Sequence, residues 1–168
     1  MARRIWFQRA FTLGTPLDHF PEIVERLRGT PARLEERVAG VREDRLRARP
    51  HDAWSIQEQV GHLSDLEPLW AGRVDDLAAS RAVLRAADLE NRATWDADHN
   101  ARPMSVILAE FRERRAALVA TLEALDENGL RATALHPRLE QPMTVVDLGF
   151  FVAEHDDHHL AAISGLLR

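Results

Sequence analysis

Apolar residues recur at intervals of three and four along four stretches of the chain, a pattern typical of amphipathic helices. The first stretch covers residues 17–39, the second 55–77, the third 103–125 and the fourth 144–166. Gly29-Thr30-Pro31 interrupts the first stretch, and since proline lacks an N–H we expect a kink or two short helices there. Four long helices joined by irregular segments predict an all-α, up-down-type four-helix bundle.

Capping signals mark the ends of these helices. Ser55-Ile56-Gln57-Glu58 has the form of a capping box, in which the serine and glutamate satisfy free backbone N–H groups. Thr144-Val-Val-Asp147 is a second cap-like pattern, which opens the last helix. Pro68 is expected to bend the second helix or to end a first segment of it. Asn128-Gly129 is a plausible stop for the third helix.

The segments between the long helices have weaker signals. Residues 1–15 are predicted to be an extended lead-in, and residues 41–53 a charged loop. Residues 81–88 are compatible with a helix, whereas 91–103 and 136–142 have the composition of loops. Strand signals are weak throughout.

Composition fits one soluble globular domain covering residues 1–168, because 45% of the residues are hydrophobic and 29% are charged. The net charge of −5 disfavours non-specific nucleic-acid binding, and no basic stripe with interleaved aromatics is visible, so no nucleic-acid partner is expected. No apolar run approaches the roughly 18 residues that span a bilayer, so no membrane association is expected. The N-terminal residues do not form a secretory signal, and we therefore expect a cytoplasmic protein.

The chain has no cysteine, so a metal would have to be held by His, Asp or Glu. His155 and His159 are four residues apart and therefore lie about 40° apart on a helix, within its core-facing stripe. His158 points to the edge of that stripe or to solvent. Buried imidazoles need polar partners, and an i,i+4 pair presents two nitrogens to one ion. Neighbouring acidic residues are the alternative partners.

A third ligand would have to come from another helix, and His62 is the best candidate. It lies near the start of the second helix, at the edge of its apolar face, whereas the histidine pair lies toward the end of the fourth. If these two helices run antiparallel, the three imidazoles meet at one level. Three histidine ligands leave an open position for water, as in reactive zinc-type sites.

Two segments together resemble the DinB/YfiT-like superfamily. Residues 54–67 (WSIQEQVGHLSDLE) resemble its W-S-x-x-E-x-x-x-H-L-x-D-x-E segment, and residues 155–163 (HDDHHLAAI) resemble its H-D-x-x-H-L-x-x-I segment. Residues 111–119 also look like the third helix of that family. The likeness covers nearly the whole chain, and the two histidine motifs are specific in this order and separation.

This resemblance implies a four-helix bundle in which three histidines hold a metal, and in this chain those match His62, His155 and His159. It implies zinc or nickel as the metal, and a homodimer. Known activities in the superfamily depend on thiols: S-transfer with bacillithiol, and maleylpyruvate isomerisation with mycothiol. Many members are named only as DNA-damage-inducible proteins or metal-dependent hydrolases.

The leading functional hypothesis is therefore an enzyme in which a metal activates water or a small-molecule thiol toward an electrophilic substrate. Asp65, Glu58 and Glu67 are candidates for a general base or for groups that support the ligands. Each also has an ordinary interpretation, since Glu58 belongs to the capping box and the other two suit a solvated helix face. His99 and Asn100 either line the mouth of the site or belong to a polar loop.

Two other classes remain open. One is a metal-binding or stress-linked dimeric bundle without catalysis. The other is a structural bundle that binds no metal. Neither the substrate nor the metal can be derived from the sequence, because imidazole suits several divalent ions.

Overall fold

A computed structural model of the chain describes residues 5–51 and 53–168. The helices and strands of this part, in chain order, are α1 (Phe20–Val38), α2 (Glu43–Arg47), α3 (Ile56–Ala78), α4 (Arg92–Asp96), α5 (Met104–Glu123), α6 (Glu127–Leu130), β1 (Thr133–His136), β2 (Gln141–Thr144) and α7 (Val145–Leu166). The long helices α1, α3, α5 and α7 form the bundle. The predicted four-helix bundle is confirmed.

Each long helix packs against two others. Helices α1 and α3 both pack against α5 and α7, so α1 and α3 lie diagonally across the bundle. Helices α3 and α7 are antiparallel, because Gln59 contacts His159 whereas Trp70 contacts Phe151. Helices α3 and α5 are parallel, since residue 57 bonds to residue 102 and residue 64 to residue 114. The direction of α5 therefore does not alternate with that of α3, as it would in a strict up-down bundle. The connecting segment 79–103 runs back along the length of the bundle to reach the start of α5.

A buried polar layer separates two hydrophobic clusters of the core. Each long helix contributes one side chain to this layer: Thr30, Glu67, Arg115 and Asp156 are all buried. Arg115 Nη2 donates to Glu67 Oε1 at 2.6 Å and to Asp156 Oδ1 at 3.1 Å, and Thr30 Oγ1 donates to Asp156 Oδ2 at 2.7 Å. Burial lowers the pKa of Arg115, but the two carboxylates outweigh burial and raise it. Arg115 is therefore a permanent cation with two fixed counter-ions.

Both interior prolines lie in unbroken helices. A proline leaves the carbonyl four residues earlier without its helical donor. For Pro31 that carbonyl belongs to Leu27, and it accepts a hydrogen bond from Arg115 Nη1 at 3.3 Å. For Pro68 it belongs to Ser64, and it accepts one from Arg114 Nη1 at 3.0 Å. The predicted break into two short helices near Pro31 is therefore wrong, and so is the predicted end of a helical segment at Pro68. Both helices continue because arginines of α5 donate hydrogen bonds to the carbonyl groups that the prolines leave without a helical donor.

Several predictions for the connecting segments are also wrong. Residues 81–88 are not helical: Val83 forms a parallel bridge with Leu135, and Leu84 N donates to Leu135 O. In the segment 136–142, predicted to be a loop, residues 137–140 do form a turn, but residues 136, 141 and 142 belong to the antiparallel strands β1 and β2 that this turn connects. Strands of four residues are too short to show a clear alternation of apolar and polar residues, and the bridge between Val83 and Leu135 joins segments that are distant in the sequence.

Three further segments contain short helices that the sequence did not predict. Residues 41–53 include α2, and residues 91–103 include α4 and a 3-10 turn at His99–Ala101. Asn128 and Gly129 lie inside α6, because α5 already ends at Glu123. Helices this short depend on packing rather than on propensity.

The N-terminal lead-in covers one face of α7. Residues 1–4 of the predicted lead-in lie outside the described residues, and residues 5–15 contain a 3-10 turn at Trp6–Gln8. The backbone N–H groups of Gly14 and Thr15 donate to Asp147 Oδ1 at 2.9 and 2.8 Å. Within the described residues, no helix has both the length and the apolarity needed to cross a membrane.

Candidate metal centre

Helix α7 presents His155 and His159 to the interior of the bundle. A capping box of Thr144 and Asp147 fixes the start of this helix, and its regular turn brings the two side chains onto one face. Both imidazoles are buried, and their Nε2 atoms lie 3.1 Å apart. The core-facing pair predicted from the i,i+4 spacing is present.

Helix α3 brings the third histidine to the same level. The capping box of Ser55 and Glu58 is present and starts this helix about two turns before His62. The His62 ring centroid lies 4.8 Å from that of His159 and 5.3 Å from that of His155. Each residue offers a ligand atom, and the three atoms lie within 4.8 Å of one another. The antiparallel packing of α3 and α7 thus brings together the three histidines singled out in the sequence.

Hydrogen bonds donated by Nδ1–H orient two of the three rings. Gln59 Oε1 lies 2.7 Å from His159 Nδ1, and Thr94 Oγ1 lies 2.9 Å from His62 Nδ1. Because the Thr94 hydroxyl donates to Asp65 Oδ2 at 2.9 Å, it accepts from His62 Nδ1–H. With Nδ1 engaged outside the cluster, Nε2 is the atom that His62 and His159 would each offer to a metal, which is the role that outer partners of metal-bound histidines have.

His62 and His155 are held neutral by burial. Burial lowers the pKa of His62 from 6.5 to about 4, and it lowers the pKa of His155 well below its usual value. His155 Nδ1 is buried and has no hydrogen-bond partner among the described residues. Neutral imidazole nitrogens converging from two helices are a donor set that fits a divalent transition metal.

A fourth histidine, His99, lies outside the cluster and extends the hydrogen-bond relay that runs from His62 through Thr94 to Asp65. His99 Nε2 lies 2.8 Å from Asp65 Oδ2, and its ring packs directly against the backbone of Gly61. A Cβ added at Gly61 would lie 2.3 Å from that ring. Asn100 Oδ1 accepts from Ser55 Oγ at 2.8 Å. His99 and Asn100 therefore pack behind His62, on the start of α3.

The three acidic residues predicted as catalytic candidates are engaged elsewhere. Glu58 accepts from the Ser55 N–H and pairs with Arg49, and Glu67 pairs with Arg115 in the buried polar layer. Although burial raises the pKa of Asp65, hydrogen bonds from His99 and Thr94 lower it overall, so this carboxylate is ionised. Among the described residues that line the cavity beside the histidines, none is Glu58, Asp65 or Glu67.

The histidine cluster opens onto a cavity of about 490 Å³. Its lining combines aromatic rings with basic side chains, and it includes Trp6, Trp54, Trp70, Phe151, His62, His155, His158, His159, Arg73, His136 and Arg138. His158, expected at the edge of the helix stripe, is half-buried and reaches this cavity. Sequence reasoning missed Gln59, Thr94 and Trp6, because their contacts with the histidines come from distant parts of the chain.

The fold and the three-histidine cluster define a class of helical bundle that could hold a metal ion between antiparallel helices. The sequence model of the DinB superfamily matches residues 26–163. The chain therefore belongs to the DinB superfamily. No curated protein matches it.

Two solved structures are similar to this chain. YfiT from Bacillus subtilis, described as "a probable metal-dependent hydrolase with an unusual four-helix bundle topology", has a TM-score of 0.79 and 22% identity, covering 94% of this chain and 91% of that chain. The mycothiol-dependent maleylpyruvate isomerase has a TM-score of 0.68 and 10% identity, covering 90% of this chain and 62% of that chain. This chain thus spans less than two thirds of the isomerase. At these identities the two likenesses establish the fold.

Proposed function

We propose that this protein is a metal-dependent enzyme in which His62, His155 and His159 hold one divalent ion, zinc or nickel. The observation that carries the proposal is the buried three-histidine cluster at the wall of a cavity. A divalent ion held by neutral ligands keeps its full charge and lowers the pKa of a water or thiol in its open position. The reaction would be hydrolysis, or transfer of a low-molecular-weight thiol to an electrophile.

The chain's own residues contribute orientation and exclusion of water. Gln59 and Thr94 fix the ring tautomers that aim Nε2 at the ion. Trp54 packs at 4.6 Å from the His62 ring and Trp6 at 4.9 Å from the His155 ring, so aromatic walls enclose the centre. Because the chain has no cysteine, a reacting thiol would have to come from a second substrate.

The descriptions of the two similar structures support this proposal. One is described as "a probable metal-dependent hydrolase" and the other as a mycothiol-dependent isomerase. Hydrolysis and thiol-dependent chemistry are the two reaction types proposed for this metal centre. The choice between water and thiol as nucleophile is open to direct test.

A non-catalytic metal-binding or stress-linked dimeric bundle is the second candidate. It is favoured by the engagement of Glu58, Asp65 and Glu67 in structural contacts, which leaves none of them free to act as a general base. Homodimer formation and a cytoplasmic location stay predictions under either candidate.

Elemental analysis of the untagged protein tests the metal centre. We expect about one zinc or nickel per chain, and loss of that metal in His62→Ala, His155→Ala and His159→Ala. The matched control is His158→Ala, which removes a neighbouring cavity histidine from outside the cluster and should keep the metal. A parent protein that takes up no metal after refilling and dialysis would exclude a metalloenzyme.

Turnover assays then separate the two candidates. The zinc- and nickel-loaded protein would be assayed for hydrolysis of p-nitrophenyl acetate and for transfer of cysteine to 1-chloro-2,4-dinitrobenzene. We expect turnover of one class that is lost with His155→Ala. One metal per chain without turnover of either class favours the non-catalytic candidate.

A further inference from the structure

We propose that Arg73 and Arg138 form a subsite for the carboxylate of an organic acid, one aromatic ring away from the histidine cluster. The assignment of organic acids as the substrate class rests on the proposed function. Binding of the acid to the subsite can be measured without catalytic turnover. Both arginines line the same cavity as the three histidines.

Arg73 is a buried cation that contacts no carboxylate among the described residues, although the charge of Asp76 acts on it from beyond ion-pair distance. Its side chain is 2% exposed, and among residues 5–51 and 53–168 it forms no ion pair with a carboxylate. Its Nε donates to the Arg85 carbonyl at 3.1 Å, and Nη1 lies 3.1 Å from His136 Nε2. Burial lowers its pKa to about 10, so it remains charged near neutral pH. A buried guanidinium with only neutral partners is costly unless a bound anion compensates it.

Arg138 adds a second cation to the same wall. Its Nη2 atom is buried and has no hydrogen-bond partner among the described residues. Its Cζ lies 5.5 Å from the Phe7 ring centroid and 6.0 Å from that of Phe151. Aromatic faces contact this guanidinium, but they cannot replace a hydrogen-bond acceptor.

The nearby carboxylates are already engaged. Asp76 accepts from Arg85 Nε at 2.9 Å and from Nη2 at 2.8 Å. Asp88, the acidic residue among the described lining residues, accepts the backbone N–H groups of Glu90 and Arg92. The chain neutralises its other deeply buried arginine, Arg115, with two carboxylates. The missing counter-ion of Arg73 is therefore a feature of this cavity rather than of buried arginines in this fold.

Other polar atoms of the cavity residues are also donors without acceptors. The indole Nε1 atoms of Trp54 and Trp70 are buried and have no hydrogen-bond partner among the described residues. His136 does not compensate these cations, since an imidazole carries no negative charge, and burial together with the nearby Arg73 and Arg138 lowers its pKa to about 4 and keeps it neutral. A cavity with a surplus of donors and two cations selects an anionic ligand with an apolar body.

The aromatic wall sets the geometry of such a ligand. The Trp70 ring centroid lies 5.4 Å from Arg73 Cζ and 5.7 Å from the His155 ring centroid. A carboxylate at the arginines would therefore place the rest of a small organic acid along Trp70, with its other end at the histidine cluster. The acid group would orient the substrate, and bond changes would occur at the opposite end.

Binding of 3-phenylpropionate, compared with its uncharged amide 3-phenylpropanamide, tests the subsite. We expect the metal-loaded protein to bind the acid at least about tenfold tighter than the amide by calorimetry, as for a charge-assisted hydrogen bond. Arg73→Gln and Arg138→Gln should each reduce this preference, Arg73→Lys should keep part of it, and the exposed Arg112→Gln is the matched control. Thermal unfolding of each variant checks that it is folded.

The His155→Ala variant separates this proposal from the proposed function. Loss of the acid preference in His155→Ala but not in Arg73→Gln would overturn the subsite, because the acid would then bind at the metal. Retention in His155→Ala with loss in Arg73→Gln supports the subsite even if no catalytic turnover is found. Tighter, arginine-dependent binding of phenyl phosphate would reassign the subsite to phosphate esters and overturn the carboxylate.

Discussion

The Thr94 hydroxyl connects His62 to Asp65: it lies 2.9 Å from His62 Nδ1 and donates to Asp65 Oδ2 at 2.9 Å. Because the hydroxyl has one hydrogen, donation to the carboxylate requires it to accept from the imidazole. The proton of His62 is thereby fixed on Nδ1, and Nε2 keeps its lone pair. A residue of α4 thus sets the tautomer of a candidate ligand on α3.

Thr94→Val is expected to weaken metal binding about 10- to 100-fold while leaving the three histidines in place. The affinity for zinc would be measured by competition with a chromophoric chelator. Thr121→Val is the matched control, because the Thr121 hydroxyl is on α5 and bonds only its own helix at Ala117 O. Equal affinities in parent and Thr94→Val would show that the relay does not act on the metal.

Gly61→Ala is expected to displace His99 and lower the zinc affinity, because the added Cβ would lie 2.3 Å from the His99 ring. Gly72→Ala on the same helix is the control, since the atoms nearest to its Cβ belong to the flexible end of the exposed Arg85 side chain. The two substitutions have the same helix propensity gain. A lower thermal midpoint and weaker zinc binding in Gly61→Ala, but not in Gly72→Ala, would confirm the close packing of His99 on Gly61. Identical behaviour of the two variants would contradict it.

Arg115→Ala is expected to destabilise the protein by about 3–5 kcal/mol, because it leaves Glu67 and Asp156 as unpaired buried carboxylates. The control Arg112→Ala is on the same helix as Arg115 and breaks an exposed ion pair with Glu35 of α1. It should change the free energy of unfolding by less than about 1 kcal/mol. Urea unfolding of both variants measures the difference. Similar losses at the two positions would argue against a buried polar layer that holds the helices in register.

The metal-free protein is expected to lose stability as the pH falls from about 7 to 5. The pKa of His136 is lowered from 6.5 to about 4 by burial and by Arg73 and Arg138, and that of His62 is lowered similarly by burial. The unfolded chain therefore binds more protons than the folded chain in this range, and acid favours unfolding. Urea unfolding in a chelator should show a shallower pH dependence for His136→Gln. A free energy of unfolding that is constant from pH 7 to 5 would contradict the lowered pKa values of His62 and His136.

Local sequence determined the long helices and two of the three candidate ligands. Helical periodicity and the caps at Ser55 and Thr144 depend on residues within one turn of each other, so they are visible without tertiary structure. The spacing of His155 and His159 likewise predicts a shared face on any helix. His62 could be added only through the family resemblance or by assuming the direction of a second helix.

Tertiary structure alone decided what surrounds the candidate ligands. The bond between Thr94 and His62 spans 32 positions and that between Gln59 and His159 spans 100, so neither leaves a local pattern. Arg115 looks like an ordinary helix-surface residue in the sequence, yet it is buried where four helices meet. The role proposed for Arg73 is visible only in the structure, because folding buries its guanidinium without bringing a carboxylate into contact with it. Periodicity specifies which face of a helix is buried, but contacts between distant segments determine which polar groups are left to bind a metal or an acid.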